Sequence, residues 1–251
     1  MLDKLFNKLS SRRDDKYIEI KNTPKKYVII GASAAGINAG KVLRKLDPNS
    51  NITIISKDNK IYSRCMLHHI ISNHRSVDSI NFVDVDFIDK NNIIWIKNTI
   101  AKSIDTKNKV VNLEDESIKY DKLLIATGAK SFIPPIKNIK EGNNIYSLRD
   151  IEDVFYIKEK IKKSKKVAII GAGLIGIDVL TSLLEINNLE VSLIYPNDYI
   201  LDLQLDEYSA KIYERKFIER GAKLYSSLPV NQIILDDNKN VKGVELGDNS
   251  I

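Results

Sequence analysis

The segment KVAIIGAGLIG, Lys166–Gly176, is a short apolar run that ends in three closely spaced glycines. This pattern predicts a strand, a tight turn and the start of a helix, the arrangement that binds the pyrophosphate of a dinucleotide. Gly171 permits the turn, Gly173 lets a phosphate approach the backbone, and Gly176 lets the helix pack against the strand. The helix N-terminus then presents free N–H groups and a positive dipole end to the phosphates.

A near copy of this motif occurs earlier in the chain, in YVIIGASAAG, Tyr27–Gly36. Ser33 stands in place of the middle glycine; it is small and can donate a hydrogen bond to a phosphate, but it leaves less room. One such motif alone is weak evidence, so the repetition matters. Together the two motifs predict an α/β fold with two Rossmann-like dinucleotide-binding domains that hold two nucleotides face to face.

The composition fits a soluble globular chain of two ordinary domains, with 251 residues, 43% hydrophobic and 29% charged. A net charge of +6 suits anionic ligands such as dinucleotides, although the lysines are spread throughout. No cluster of basic and aromatic residues indicates nucleic acid. The single cysteine excludes an internal disulfide and fits a reducing, cytoplasmic setting. No apolar run approaches the ~20 residues of a membrane span.

Residues 1–25 are predicted to be an N-terminal extension. Leu2, Leu5, Phe6 and Leu9 have helical spacing, which indicates a short amphipathic helix. We interpret the segment as a partly ordered tail, with a docking helix for a partner or membrane surface as the alternative.

The first motif begins a predicted doubly wound sheet. Tyr27–Ile30 is predicted as a buried strand, Asn51–Ser56 (NITIIS) as the second strand, and Asp58 as the acid that binds a ribose after it. The alternative to this ribose-binding role is that Asp58 is only a turn residue. Leu123–Ile125 is predicted as a further buried strand. It is followed by Ala126–Lys130 (ATGAK), whose backbone amides lie at a carboxyl end, where such sheets bind ligands.

Several short β-rich stretches lie between these strands. They predict a small antiparallel ribbon inserted in the sheet. The predicted ribbon strands are Ile93–Ile96, Thr99–Ile104, Val110–Leu113 and Ile118–Lys119.

The stretch YSRCMLHHIISNHRS, Tyr62–Ser76, is chemically the most unusual part of the chain. It contains Cys65 and the three histidines, but their spacing matches no familiar zinc site, so no metal is predicted. We interpret it as a helix that lines a cofactor, with Arg64 available for a phosphate. Cys65 is either a redox thiol or a small packed side chain.

The second motif leads into a similar series of elements. Helices are predicted over Ile151–Lys163 and Asp206–Arg220, and a strand over Glu190–Tyr195. The residues after that strand, 195–198, read YPND, so an acid for the ribose is displaced or absent, and the choice between NADH and NADPH stays open. Asp178, near the start of the helix, either points towards the site or complements the helix dipole.

The ordered motifs GASAAG, YSRCML, YDKLLIATG, LRDIED and GAGLIG resemble those of the FAD-dependent pyridine nucleotide-disulfide oxidoreductases. The similarity is greater to the reductases of the rubredoxin, ferredoxin and nitrite-reductase type, which bind FAD and NAD(P)H. The resemblance implies a set of FAD-binding residues: Gly31, Ser33, Ala34, Ala35, Gly36, Asp58, Arg64, Ala126, Thr127 and Gly128. It implies NAD(P)H binding at Gly171, Gly173, Leu174, Ile175 and Gly176, with Asp178 close to the nicotinamide.

The resemblance also implies the domain organisation. Residues 26–148 are expected to form a partial FAD-binding domain, and residues 149–251 an NAD(P)H-binding domain. In the family a second FAD element, an apolar strand ending in Gly-Asp, lies beyond the pyridine-nucleotide domain. The sequence is therefore expected to be a C-terminally incomplete flavoprotein.

The activity implied is hydride transfer from a nicotinamide to the flavin, followed by electron transfer to an acceptor such as a small iron protein. One alternative is a single-cysteine reductase of disulfides or peroxide that uses Cys65 as its catalytic thiol. Another is a non-catalytic nucleotide-binding fragment that needs a partner chain. The expected partners are an iron protein or a small disulfide, with a complementing C-terminal polypeptide and a second copy of the chain as further candidates.

Overall fold

The computed structural model describes residues 24–247 and 249–250, which form the strands and helices of an α/β fold. The helical pattern predicted within residues 1–25 falls on residues outside the described part. The strands are β1 (Lys26–Ile30), β2 (Asn51–Ile55), β3 (Ile93–Ile96), β4 (Ser103–Asp105), β5 (Val110–Asn112), β6 (Ser117–Lys119), β7 (Lys122–Ile125), β8 (Lys166–Ile170), β9 (Glu190–Ile194), β10 (Lys223–Tyr225), β11 (Val230–Leu235), β12 (Val241–Leu246) and β13 (Asn249–Ser250). The helices are α1 (Ala34–Leu46), α2 (His68–Ile71), α3 (Phe87–Lys90), α4 (Ile151–Ile161), α5 (Leu174–Leu183) and α6 (Glu207–Glu219).

Contacts within the chain define two compact units, and the first contains residues up to Asn59 together with Val85–Thr127. Its sheet is wholly parallel, in the order β3-β2-β1-β7. Helix α1 connects β1 to β2, as parallel neighbours require a crossover. The core of the sheet is apolar and β-branched: Val28, Ile29, Ile54 and Ile55 are each at most 2% exposed. The predicted Rossmann-like arrangement is therefore confirmed.

The antiparallel ribbon is confirmed in β4, β5 and β6, but its first predicted strand is wrong. Ile93–Ile96 is instead β3 and pairs in parallel with β2, with Ile93 opposite Ile52. The buried side chain of Ile93 joins the sheet core, and the indole N–H of Trp95 donates to Ser56 Oγ at 3.0 Å. The predicted strand Thr99–Ile104 is also shorter than expected, because regular pairing starts only at Ser103.

The sequence predicts that strand β7 is buried, and this prediction is wrong for two of its residues. Leu124 is 40% exposed and Ile125 61% exposed. Within the described residues β7 pairs with β1 alone, so it is an edge strand whose apolar side chains lack a covering layer. Beside it an apolar groove of about 330 Å³ separates α1 from β7, with Val42 and Leu43 on the helix side.

The second unit contains Lys60–Asp84 and the chain from Gly128 onward. Its parallel sheet has the order β10-β9-β8, and β11, β12 and β13 form an antiparallel sheet. Leu180 and Leu183 of α5 and Val191 and Leu193 of β9 are at most 1% exposed. The predicted boundaries of α4, β9 and α6 are confirmed within one or two residues.

This division by contacts differs from the expected boundary at residues 148 and 149. The segment Lys60–Asp84 groups with the second unit because α2 packs on α4 and α5. Which residues form the FAD-binding and NAD(P)H-binding domains in the functional sense stays a prediction.

Candidate functional site

The two glycine motifs fold into turns of the same geometry. Gly31 and Gly171 have φ values of +118° and +106°, a backbone region that side chains rarely adopt. The amide of each donates 2.8 Å to the carbonyl that ends the next strand, Ile55 in the first unit and Ile194 in the second. Each turn is thus fixed at the carboxyl end of its sheet, as predicted from the motif.

The last glycine of each motif is required by close packing. A Cβ on Gly36 would lie 1.9 Å from the carbonyl oxygen of Gly31, and a Cβ on Gly176 would lie 2.0 Å from that of Gly171. Real Cβ atoms essentially never lie within 3.0 Å of another heavy atom of this kind, so neither position can accept a side chain without a shift of the backbone. The first turn of α1 and of α5 therefore rests directly on the preceding glycine turn.

Both helices begin with backbone amides that a ligand can reach. Their N-caps, Ser33 and Gly173, are extended, and the Ser33 side chain makes no capping hydrogen bond. The next residues are exposed: Ala34, Ala35, Leu174 and Ile175. A Cβ on Gly173 would meet no atom within 4 Å, so open space lies above the start of α5. This open space and these amides fit a diphosphate.

The structure brings the first turn and the ATG segment together in the first unit. A Cβ on Gly31 would lie 2.2 Å from the carbonyl oxygen of Ala126, and the amide of Ala126 donates 2.8 Å to Ile30. Thr127 is exposed beside this contact. Asp58 is half-buried three residues beyond Ile55, whose carbonyl holds the Gly31 amide. Gly128, which follows in the second unit, has a φ of +70°.

Arg64 is held by an acid of the second unit. Its guanidinium lies 3.1 Å from Asp150 Oδ1, with both side chains at most 20% exposed, and stacks 4.9 Å from the centre of the Tyr62 ring. Asp150 is the N-cap of α4. The neighbouring Cys65 is exposed on a 3₁₀ turn, and no group of three metal-binding side chains occurs among the described residues.

Asp178 lies in the second turn of α5, five residues after the N-cap Gly173, and its side chain is 45% exposed. Its Oδ2 is 3.6 Å from His68 Nδ1, which is an electrostatic contact and not a hydrogen bond. The structure thus joins two residues that the sequence analysis treated separately.

The loop after β9 is anchored by buried polar contacts. Tyr195 donates 2.9 Å to Glu214 Oε1, which also accepts from the amide of Ile200 at 3.1 Å. Burial, and then the hydrogen bond and charge of Glu214, raise the pKa of Tyr195 well above its ordinary value. The amide of Leu201 donates 2.9 Å to Ala172, so the loop is tied to the glycine turn.

Sequence reasoning missed Glu214 as part of this site. In the sequence it is one of several acids on an amphipathic helix, and only the fold brings it under β9, where its side chain is 9% exposed. A second missed group is Asp153, whose carboxylate accepts the amides of Arg149 and Asp150 at 2.8 and 2.9 Å. The spacing of Asp150 and Asp153 is that of a capping box, a signal that the sequence carried.

Two glycine turns on parallel sheets define a protein that binds dinucleotides. Residues 25–251 match the pyridine nucleotide-disulphide oxidoreductase family, and the chain belongs to that family. The family and the class of oxidoreductase expected from the sequence are therefore confirmed. No helix within the described residues is long and apolar enough to cross a membrane.

Known relatives support the same assignment. The NADH-rubredoxin oxidoreductase of Clostridium acetobutylicum is 35% identical over 205 residues, covering 80% of this chain and 52% of the relative. The crystal structure of that enzyme superposes with a TM-score of 0.71 at 32% identity, over 82% of this chain and 53% of the other. An NAD-dependent persulfide reductase from A. fulgidus superposes with a TM-score of 0.83 at 28% identity, over 90% and 43%. The chain therefore spans about half the length of these relatives.

We expect Gly176→Ala to lower the free energy of unfolding by roughly 1–3 kcal/mol, because the added methyl overlaps the Gly171 carbonyl. Urea unfolding followed by circular dichroism measures this loss. Gly173→Ala is the matched control in the same turn, where the methyl enters open space and the cost stays at or below about 1 kcal/mol. Equal losses for the two variants would contradict the packing role of Gly176.

We expect Tyr195→Phe to destabilise the chain by roughly 1–3 kcal/mol near neutral pH, because Glu214 loses a buried donor. Since the folded state raises the pKa of Tyr195, the unfolded chain ionises first as the pH rises above 10, and folding stability falls there. The variant should lose less stability over that alkaline range than the parent chain. Urea unfolding at neutral and alkaline pH measures both effects, with the exposed Tyr208→Phe as control.

Proposed function

We propose that this chain is the nucleotide-binding part of an NAD(P)H-dependent FAD oxidoreductase that passes electrons to an acceptor such as a small iron protein. The observation that carries the proposal is the pair of matching glycine turns, Gly31–Gly36 and Gly171–Gly176, in a chain of this family. When bound, the nicotinamide would supply a hydride, and the flavin would accept its two electrons with the proton and pass the electrons on one at a time, so that this chemistry would belong to the cofactors.

In this proposal the first unit binds FAD. The amides at the start of α1 and the Ser33 hydroxyl would hold the diphosphate, and Asp58 would accept hydrogen bonds from a ribose. Ala126 and Thr127 would supply backbone groups beside the same turn. The small residues of the turn allow the close approach that a diphosphate needs. Arg64 is assigned to FAD by resemblance, and its pairing with Asp150 gives it a structural role as well.

The second unit would bind the nicotinamide nucleotide, and we propose NADH as the preferred form. Asp198 and Asp202 follow β9, where a ribose would lie, and Ser227 holds Asp198 through a 2.8 Å hydrogen bond. Carboxylates accept from a ribose 2′-hydroxyl but repel a 2′-phosphate. The nearby Lys211 is engaged by Glu214 at 2.9 Å and by the carbonyl of Asp198 at 3.0 Å.

The acceptor is proposed from the relatives. The names of two of them contain rubredoxin, and one solved relative is a covalent complex of putidaredoxin reductase with putidaredoxin. A complementing polypeptide and a homodimer stay proposals. A cytoplasmic location is proposed because the single cysteine, Cys65, is a free thiol.

An absorption experiment tests the proposal. The chain, purified and mixed with FAD, should show a bound flavin spectrum that NADH bleaches without oxygen, and NADPH should bleach it more slowly. Gly173→Val should fold, keep the flavin and lose the bleaching by NADH but not by dithionite, because its side chain would fill the open space above α5. Tyr208→Phe, a change at an exposed side chain of α6, should be bleached like the parent. A chain that takes up no FAD would contradict the proposal and favour the non-catalytic fragment.

The exposed Cys65 supports a second candidate, a single-cysteine reductase of disulfides or peroxide. We expect Cys65→Ser to leave NADH-driven reduction of rubredoxin unchanged, because that route needs no thiol. The same variant should be assayed with a small disulfide and with peroxide. A loss of activity that is confined to those substrates would show that the thiol route operates in this chain.

A further inference from the structure

All three histidines of the chain lie in one segment of the second unit, and they form a row. The ring centres of His68 and His69 are 4.0 Å apart, and those of His69 and His74 are 6.2 Å apart. Each end of the row meets a carboxylate. His68 Nδ1 lies 3.6 Å from Asp178 Oδ2, and His74 Nε2 lies 3.0 Å from Glu185 Oε2.

The end of the row at His68 is well fixed. Its side chain is 14% exposed, and its backbone carbonyl accepts a 2.8 Å hydrogen bond from Ser182 on α5. Asp178, by contrast, is 45% exposed and lies in the second turn of α5. A largely buried imidazole thus faces a carboxylate that is partly exposed to solvent.

The surroundings of the row carry further charges. Arg75 lies on the same segment, Lys158 of α4 donates 2.6 Å to Asn73, and Arg220 lies 3.9 Å from Glu185. Burial lowers the pKa of His69, and the neighbouring His68, Arg75 and His74 lower it further, while Asp178 acts in the opposite direction. Protonation of His69, in the middle of the row, is therefore disfavoured. Asp178 contacts the row at His68 and attracts positive charge there.

We propose that His68 is a positioning residue that orients the Asp178 carboxylate towards the nicotinamide end of the bound nucleotide. The inference rests on the proposed function, in which the turn before α5 holds the diphosphate. A carboxylate accepts hydrogen bonds, and the carboxamide of a nicotinamide donates them. An exposed aspartate samples several rotamers, and ordering such a side chain on binding opposes association. His68 reduces that cost by holding the acid before the nucleotide arrives.

Binding measurements separate this role from a merely structural one. Calorimetry with NADH and with ADP-ribose, which lacks the nicotinamide, should be done on the parent chain and on His68→Leu. We expect about 5–10-fold weaker binding of NADH and less than about a 2-fold change for ADP-ribose, since Asp178 acts only on the missing portion. His68→Asn keeps an N–H near the position of Nδ1 and should restore most of the affinity.

The matched control is His74→Leu, which breaks the corresponding imidazole–carboxylate contact at Glu185, away from the glycine turn. It should bind both ligands as the parent does. Asp178→Asn should weaken NADH alone, and adding His68→Leu should weaken it little further, because both changes remove one interaction.

Thermal unfolding shows whether each variant is folded. Equal losses for NADH and ADP-ribose in folded His68→Leu, or no loss for either, would overturn the role of His68. If the parent chain binds neither ligand, the nucleotide-binding proposal fails, and the role of His68 fails with it.

Discussion

The contact between the first turn of a helix and the carbonyl of the glycine before it is the constraint on which both units depend. At Gly36 and at Gly176 there is no space for a side chain, because the carbonyl oxygen of Gly31 or Gly171 occupies it. This contact sets the position of each helix start against the end of its strand. The exposed amides, the open space beside them and the polar residues after the next strand are useful to a ligand only because this position is fixed.

The second unit adds polar contacts that fasten its loops to this framework. The hydrogen bond between Tyr195 and Glu214 anchors the loop after β9. The ion pair between Arg64 and Asp150 anchors the segment that contains the three histidines. These pairs are largely removed from water, so the loss of one partner would leave a costly unpaired group. Apolar packing shapes the sheets, whereas these pairs fix the segments that surround the candidate site.

The elements that follow local rules could be predicted from the sequence. The glycine spacing predicted both turns, and the amphipathic pattern predicted α6 to within one residue at each end. The placement of Ile93–Ile96 could not be predicted, because a four-residue apolar strand pairs equally well in a ribbon or at a sheet edge. The contacts of Glu214 with Tyr195 and of His68 with Asp178 also escaped prediction, since they join residues that are far apart in the chain. In the candidate site, therefore, the backbone turns could be predicted from the sequence, but the side-chain contacts could not.

The exposed strand β7 has a practical consequence for anyone who handles this chain. Leu124 and Ile125 form an exposed apolar surface on a strand edge that no other described strand pairs with, and such an edge can add a strand from another molecule. Sticking of one copy to another would increase with protein concentration and with salting-out ions such as sulfate, which strengthen apolar association. Dilute solutions in weakly salting-out buffers are therefore the conditions under which the chain should remain dispersed.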